Sequence, residues 1–225
     1  MLTLALESSA KAASVALAHD GRLIAQYFQD SGLTHSITLM KMAQDILQNS
    51  DIKLSDLSNI AVSCGPGSFT GIRIGLAAAK GLALGAELPI RAVSTLRAAA
   101  IVFEDEGVIL CPAMDARRGE VYNALFEVCG GTLTRLCDDR AIPASDVAAQ
   151  AIAIKKPFLV MGDGAVLCYD ALITAGVPAK LAPPATRIQC AYGVALAAIG
   201  AQNTPSGKVQ PNYLRVSQAE RLSKK

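Results

Sequence analysis

The sequence predicts an α/β protein of two lobes, each built on three strands followed by a helix, a strand, a helix, a strand and a helix (βββαβαβα). Two observations support this. Short strand-like runs alternate with helical patterns along the chain, and the order of element types starts again near Val108. The 225 residues are also enough for two small lobes that each bury a core. Each lobe should hold a mixed sheet covered by helices, with the second lobe reduced.

The first lobe is assigned to residues 1–104 and opens with a meander of strands. Thr34 and Ser94 stand at positions typical of helix N-caps. Leu39, Met42 and Ile46 recur at helical spacing in the first helix. The predicted elements are strands at Leu2–Leu6, Ala13–Leu17 and Gly21–Phe28, a helix at His35–Asn49, a strand at Asn59–Cys64, a helix at Gly71–Gly85, a strand at Pro89–Val93 and a helix at Thr95–Glu104.

The second lobe is assigned to residues 107–203, and its last helix could pack back on the first lobe. Residues 204–225 are polar, contain five Lys or Arg and lack apolar periodicity, which predicts a tail. The predicted elements of this lobe are a strand at Val108–Met114, a turn at Asp115–Gly119, strands at Glu120–Val128 and Leu133–Cys137, a helix at Pro143–Ile152, a strand at Phe158–Met161, and helices at Ala165–Ala175 and Gln189–Ala201.

Composition narrows the function classes. Hydrophobic residues make up 52% and charged residues 18% of the chain, which favours a folded protein over a disordered one. We expect a cytoplasmic protein, because Met1 is followed by an apolar run without a basic stretch or a cleavage signal, and no apolar segment is long enough to span a bilayer. The six cysteines form no Cys-x-x-Cys pair, which is typical of free thiols. A net charge of +2 is too small for strong nucleic-acid binding by the chain alone.

The candidate catalytic residues are few. His19 and His35 are the only histidines, and neither has a second histidine three or four positions away, so surface polar residues are the favoured interpretation. The loop Gly65–Gly75 is glycine-rich but lacks the Gly-Lys-Ser/Thr ending of a Walker motif. A tight turn in which Ser68 or Thr70 caps the following helix is favoured over phosphate binding.

A contact with an anion or another ligand in the cleft between the lobes is the alternative. Glu7 and Ser8 end the first strand, where a cleft would place such a group, and Asp115 holds the equivalent place in the second half. Strand-end capping and surface charge are the ordinary interpretations. The residues assigned to the alternative are Glu7, Ser8, Ser68, Thr70, Arg73, Asp115 and Arg118.

The helix after the glycine-rich loop carries a second, non-core stripe of small residues. Ala77, Gly81 and Gly85 recur at intervals of four, with Ile74 beside them. Small side chains allow another helix to approach closely. Two hypotheses are about equally open, and we expect some of each: the stripe receives the helix His35–Asn49 of the same chain, or both helices leave an exposed apolar patch that serves as an interface.

Four segments together resemble the bacterial TsaB family, also called YeaZ. They are Leu4–Leu17, Gly65–Gly75, Met114–Tyr122 and the stretch 211–220, which contains Tyr-Leu-Arg and Gln-Ala-Glu. The resemblance implies an actin-like (ASKHA) fold of two lobes. It also implies a part in making N6-threonylcarbamoyladenosine beside the anticodon of tRNAs that read codons starting with adenine.

The resemblance further implies a subunit that is not the catalyst. In the family that role belongs to the paralogue TsaD, which binds a metal through His-x-x-x-His, whereas this chain has His35 followed four positions later by Leu39. Its first strand also ends in Glu7-Ser8 where the family usually has Asp-Thr. No cofactor is therefore expected on this chain, and ATP and a metal are expected on partner subunits. The older label for such chains is glycoprotease-like.

The partners implied by the resemblance are TsaD, in a heterodimer formed by the two first-lobe helices, the ATPase TsaE, and indirectly TsaC and tRNA. The chain alone is expected to self-pair.

Two other functions are alternatives to that of a partner subunit: a small actin-like kinase or ATPase using Glu7 and Asp115, and, less favoured, a metallopeptidase. The residues assigned to the partner interface are His35, Leu39, Met40, Ile74, Ala77, Ala78, Gly81 and Gly85, and those assigned to tail contacts are Tyr213, Leu214 and Arg215.

Overall fold

A computed structural model describes residues 1–215. The predicted α/β architecture with two mixed sheets is confirmed. The Gln-Ala-Glu motif and the basic residues Arg221, Lys224 and Lys225 lie outside the described residues. None of the helices in residues 1–215 combines the length and the apolarity needed to cross a membrane.

The first lobe holds a five-stranded sheet in the order β3-β2-β1-β4-β5. The first three strands form an antiparallel meander, and β4 and β5 add in parallel. All predicted elements of this lobe are present. They are β1 (Leu2–Glu7), β2 (Ala13–His19), β3 (Arg22–Gln29), α1 (His35–Asn49), β4 (Asn59–Gly65), α2 (Phe69–Gly85), β5 (Ile90–Ser94) and α3 (Thr95–Ala100).

The helix α3 ends four residues earlier than predicted. Ser94 caps it, since its side chain accepts from Arg97 N at 3.3 Å. Beyond Ala100 the chain turns, although Ile101 and Phe103 continue the apolar pattern. That pattern extended the prediction to Glu104, because apolar residues in a turn that packs on a core look like another helical turn.

The second lobe has seven strands, more than the predicted plan contains. Its main path runs β10-β7-β6-β11-β12, and β8 pairs with β6 and with β9. Its elements are β6 (Ile109–Arg117), β7 (Glu120–Asn123), β8 (Phe126–Cys129), β9 (Thr132–Arg135), β10 (Arg140–Pro143), α4 (Ala144–Ile154), β11 (Phe158–Met161), α5 (Ala165–Thr174), β12 (Ala179–Leu181), α6 (Pro184–Arg187) and α7 (Ala191–Ala197).

The predicted strand Glu120–Val128 is wrong, because it is two strands. The nine-residue β6 pairs with β7 near its end and with β8 near its start, so the chain must step between them at Ala124 and Leu125. Both residues at the step are buried, and the apolar pattern therefore continues through the break. The strands β10 and β12 and the helix α6 were not predicted, since segments of three or four residues are too short to show periodicity.

The helix α7 is the last helix of the second-lobe segment, but it packs on the first-lobe sheet and on α3. Its contacts are largely between small residues: Ala5, Ala16 and Ala61 of the sheet lie in one buried cluster with Ala191 and Ala195. The close packing of alanines brings the helix near the strands, and Ala191 N donates to Ser14 Oγ at 2.6 Å. The helix is shorter than the predicted Gln189–Ala201.

The described part of the predicted tail is packed rather than free. Val209 is 2% exposed and belongs to the first-lobe core, which is formed between the sheet and α1 and α2. Residues 203–215 make further contacts with both lobes. The residues of this segment that contact the lobes are irregularly spaced and so produce no periodic pattern. The sequence therefore indicated only a polar segment here.

Candidate docking surface and interlobe site

The helix α1 buries one face and exposes the other. Leu39, Met42 and Ile46 face the first-lobe sheet, and Leu39 is 0% exposed. Ile37, at 69% exposed, and Met40 lie on the outer side. Assigning Leu39 to a partner interface is therefore wrong: the helical period that groups it with Met42 and Ile46 places it in the core. Thr34 takes the N-cap position, but its side chain makes no capping hydrogen bond.

The start of α2 is held against the end of β1. Ser68, one of the two predicted cap residues, caps the helix and accepts from Gly71 N at 3.2 Å, whereas Thr70 lies within the helix. Ser8 Oγ donates to Gly71 O at 2.9 Å. A Cβ at Gly71 would collide with the Ser8 carbonyl, and one at Gly75 would lie 2.5 Å from Ser8 Oγ. These two glycines are thus explained by close packing within the chain, not by an anion.

The small-residue stripe of α2 is exposed. Ala77, Gly81 and Gly85 all face solvent, and a Cβ added at Gly81 or Gly85 would meet no atom within 4 Å. Ile74 and Ala78 are half-buried and pack on the first-lobe core. Ala77, Gly81 and Gly85 are therefore not covered by α1 of the same chain, whereas Ile74 beside them packs on the core that α1 also contacts.

Other apolar side chains are exposed on the same two helices. Leu84 on α2 is 74% exposed, and Ile37 and Met40 are exposed on α1. An open groove of about 450 Å³ lies along α1 and is lined by Met40, Lys41, Ala43, Gln44 and Leu47 of that helix, together with Leu54 and with Leu82 of α2. We call this surface, made of the outer faces of α1 and α2 with the groove, the docking face.

His35 stands at the edge of the docking face. The residue is half-buried, and its Nε2 lies 2.7 Å from the Ala10 carbonyl oxygen. Within residues 1–215, no group of three or more His, Cys, Asp or Glu side chains is arranged to hold a metal ion. The histidine can thus anchor the first turn of α1 to the loop that follows β1.

The interlobe site lies at the carboxyl ends of β1 and β4. Glu7 is 1% exposed there, and its carboxylate accepts from Ser9 N at 2.6 Å, from Ser9 Oγ and from Ser63 Oγ. Burial raises the pKa of Glu7 above its ordinary value, although these hydrogen bonds oppose the rise. Glu7 and Ser8 were assigned to ligand contacts, but both are buried and bonded to protein groups, which corrects that assignment.

The loop after β4 packs against the loop after β1 and approaches the second lobe at Met114. Ser68 N donates to Ser9 O at 2.7 Å. A Cβ at Gly67 would collide with Ser9 and lie 3.2 Å from Met114 Cε in the second lobe. Thr70 and Arg73 are exposed at the outer end of this loop and on the first turns of α2. The glycine-rich loop is therefore a packing element between the lobes.

The second-lobe side of this site is a strained hairpin between β6 and β7. Arg117 and Arg118 have φ of 68° and 57°, a left-handed conformation that residues other than glycine rarely adopt. Asp115 accepts from Arg117 N at 2.7 Å and forms an ion pair with the same residue. Asp115 N in turn donates to Asp163, whose pKa is raised by burial. Arg118 is exposed.

The predicted tail contacts are made within the chain. The Tyr213 ring stacks on Phe69 with centroids 4.5 Å apart, and its hydroxyl accepts from Arg73 Nε at 2.8 Å. Leu214 packs on the second-lobe side of the molecule. Arg215 forms an ion pair with Glu120. Sequence reasoning missed Glu120 as a partner because nothing in one sequence links positions so far apart.

Comparisons with known proteins agree with this architecture. Residues 29–197 match the family model described as TsaD, tRNA N6-adenosine threonylcarbamoyltransferase. A Bacillus subtilis protein named tRNA threonylcarbamoyladenosine biosynthesis protein TsaB is 31% identical over 226 residues, covering 98% of this chain and 96% of that protein.

Two solved structures show the fold. YeaZ from Pseudomonas aeruginosa superposes with a TM-score of 0.77 at 27% identity, covering 95% of this chain and 99% of that one. A ROK hexokinase from Thermus thermophilus superposes with a TM-score of 0.50 at 12% identity, covering 89% and 98%. The two lobes with repeated mixed sheets define a protein of the actin-like (ASKHA) class. Within that class, the chain belongs to the TsaB family.

Proposed function

We propose that this chain acts in the synthesis of threonylcarbamoyladenosine in tRNA as a non-catalytic subunit that pairs with a TsaD-type transferase through its docking face. The observation that carries the proposal is the exposed stripe Ala77, Gly81 and Gly85 beside exposed apolar side chains. An apolar patch of this kind on a folded protein usually marks an interface. The reaction is supported by the name of the Bacillus subtilis relative.

The geometry of the docking face favours a helical partner. The stripe has no side-chain atoms beyond Cβ, so a second helix can approach closely. The distance between the two helix axes would lie at the short end of the usual range of about 8–10 Å. Ile37, Met40 and Leu84 are exposed on the same two helices and would be removed from water on pairing. A helix pair from the partner, laid across α1 and α2, would form a four-helix contact with a small-residue centre.

The match to the TsaD family model supports the choice of partner. That match runs through residues 29–197 and so includes both α1 and α2. A protein of the matching family is expected to carry an equivalent helix pair, and two equivalent pairs meet in a nearly two-fold arrangement. The same reasoning explains self-pairing when the partner is absent.

The chemistry is assigned to the partners. In this proposal TsaD transfers the threonylcarbamoyl group from its adenylate to N6 of the adenosine and holds the metal. TsaE binds the assembled pair with ATP, and TsaC supplies the adenylate. The engagement of Glu7 with serine donors and of His35 with a backbone carbonyl supports a chain without a catalytic role.

A kinase or ATPase that uses the interlobe cleft has less support. Nucleotide binding there would need open space between the lobes, whereas Gly67 packs against Ser9 and Met114. Glu7, the carboxylate assigned to this alternative, is buried. Tight ATP binding by the isolated chain in a calorimeter would restore this alternative.

The proposal is tested by mixing the chain with the TsaD protein of the same organism and measuring the mass of the complex by light scattering. We expect a heterodimer with the wild-type chain and only separate proteins with Ala77→Arg, because a long charged side chain separates the helices. The matched control is Ala149→Arg, at an exposed position of α4 in the second lobe. Wild-type affinity in Ala77→Arg would show that the docking face is misplaced.

A further inference from the structure

Residues 203–215 run as a continuous segment across the molecule, and we call this segment the strap. Its first anchor is on the outer edge of the first-lobe sheet. Arg91 Nε donates to Asn203 Oδ1 at 2.8 Å, and Thr204 exchanges two backbone hydrogen bonds with Ile90 at 2.8 and 3.0 Å. Because β5 is an edge strand, the strap covers backbone groups that would otherwise face solvent.

The middle of the strap packs along α2. A short 3-10 turn at Ser206–Lys208 contacts the helix, and Val209 inserts into the first-lobe core. Asn212 N then donates to Cys64 O at 2.7 Å, at the end of β4. The strap thus reaches the loop from which α2 begins.

The strap then grips the first turns of α2. The Tyr213 ring stacks on Phe69, the first residue of the helix, with an angle of 24° between the ring planes. The Tyr213 hydroxyl accepts from Arg73 Nε, and the Arg73 guanidinium carbon lies 5.6 Å from the centre of the Tyr213 ring. One tyrosine therefore holds two residues that stand one helical turn apart.

The last anchor is on the second lobe. Arg215 Nη1 donates to Ala116 O at 2.6 Å, and its other terminal nitrogen pairs with Glu120 across the β6–β7 hairpin. The Arg215 and Glu120 side chains are mostly buried, so water screens this pair less than an exposed one. The two terminal nitrogens of a guanidinium can bond the Ala116 carbonyl and the Glu120 carboxylate at the same time. A lysine has a single ammonium group and cannot reproduce this planar, two-pronged geometry.

We propose that the strap is a positioning element: Tyr213 and Arg215 hold the first turns of α2 at a fixed place relative to the second lobe, and Arg215 thereby sets the affinity for the partner. The inference rests on the proposed function, since it concerns the same docking face. A stripe of small residues binds only if the two helices come close, and a tilt of α2 at its start would open that contact. The Tyr-Leu-Arg motif acquires a role in this way.

The test uses the full chain with Arg215→Ala and Arg215→Lys. Two quantities are measured: the Kd for the TsaD protein by calorimetry, and hydrogen exchange of the backbone amides of residues 69–76. We expect both variants to weaken pairing ~10-fold, because the start of α2 is no longer held in the position that pairing needs, and to speed exchange in this first part of α2. Exchange at residues 42–46 in the core face of α1 should stay as in the wild type.

The control is Arg22→Ala on β3, which removes the same charge far from the strap and should change neither quantity. Glu120→Gln, expected to act in the same direction as Arg215→Ala, serves if Arg215→Ala does not fold. A strap with only a structural role would lower the Tm and leave the Kd of the folded variant unchanged, and this result would overturn the inference. Unaltered exchange at residues 69–76 would overturn it as well.

Failure of the proposed function gives a different result. If the wild-type chain does not bind TsaD, the docking proposal is refuted, and the exchange measurement alone decides whether Arg215 holds the start of α2. Normal binding by the wild type together with an unchanged Kd in Arg215→Lys and Arg215→Ala would refute the strap and leave the docking proposal standing.

Discussion

The two lobes share an order of elements, but their exposed helix faces differ. In the first lobe α2 has 17 residues and presents Ala77, Gly81 and Gly85. In the second lobe the equivalent helix α5 has 10 residues and presents branched side chains, including Val166 and Ile173. Both helices cover their own sheet in the same way. Buried positions therefore specify the repeated fold, whereas the docking that we propose depends on exposed positions, which are free to differ between the lobes.

The carboxylates near the ends of the strands β1 and β6 also differ between the lobes. Glu7 at the end of β1 is buried among serine donors, whereas Asp115 in the equivalent strand β6 is partly exposed and paired with Arg117. A carboxylate at this place is therefore a buried group in one lobe and a surface ion pair in the other.

Substitutions of core residues should have the largest effect on the free energy of unfolding, and this effect should be similar in the two lobes. Leu39 on α1 and Leu172 on α5 are both 0% exposed. We expect Leu39→Ala and Leu172→Ala each to lower the free energy of unfolding by about 3 kcal/mol, because each leaves a cavity. Urea titration measures this, with Ile152→Ala, at an exposed position of α4, as the control. A Leu39→Ala variant as stable as the wild type would contradict the burial of Leu39.

The next substitutions compare the carboxylates Glu7 and Asp115 by the pH dependence of stability. Because the folded pKa of Glu7 is raised above its ordinary value of 4.5, the ionised group costs stability, and the free energy of unfolding rises as the pH falls toward 4.5. Glu7→Gln should therefore be more stable than the wild type above the folded pKa of Glu7. The gap should close as the pH falls toward 4.5, where Glu7 is protonated.

The matched change in the second lobe is Asp115→Asn, which we expect to alter the free energy of unfolding by less than about 1 kcal/mol, as for a surface ion pair. Thermal unfolding followed from neutral to acidic pH measures both variants. A wild type that is more stable than Glu7→Gln throughout this range would show that the three donors outweigh the cost of burying the charge.

Substitutions of exposed apolar residues should affect the two lobes differently in partner binding but not in stability. Ile37→Ser on α1 should weaken pairing with TsaD ~10-fold, since the apolar side chain is buried only in the complex. Ile173→Ser on α5 should leave the Kd unchanged, and both should stay within about 0.5 kcal/mol of wild-type stability. An equal loss of binding in both variants would mean that the second lobe also docks.

The smallest expected effect concerns the glycine of the docking face. Gly81→Ala should stabilise the isolated chain by about 0.5–1 kcal/mol, because glycine weakens a helix and the added Cβ meets no atom. The same methyl group should weaken pairing, since it lies between the helices. Ala149→Gly on α4 is the reverse control and should lose stability without a change in Kd. Tighter pairing by Gly81→Ala would exclude a close helix contact at this position.

Several features could be predicted from the sequence because their signal is local. The Ser68 and Ser94 caps follow from hydroxyl residues before helical patterns, and both are present. The core face of α1 followed from periodicity, which had already grouped Leu39 with Met42 and Ile46. The error at Leu39 arose when its place in a family interface was given more weight than its place in the helical period.

The sequence by itself determined the α/β class, the family and the small-residue stripe, because strand and helix periods and the four motifs are local patterns. Only the tertiary structure decided that the stripe is exposed, that Glu7 is buried, and that Tyr213 and Arg215 anchor a strap. Periodicity shows which residues share a face but not what covers that face. Contacts such as Arg73 with Tyr213 join positions 140 residues apart, and a single chain carries no signal for them.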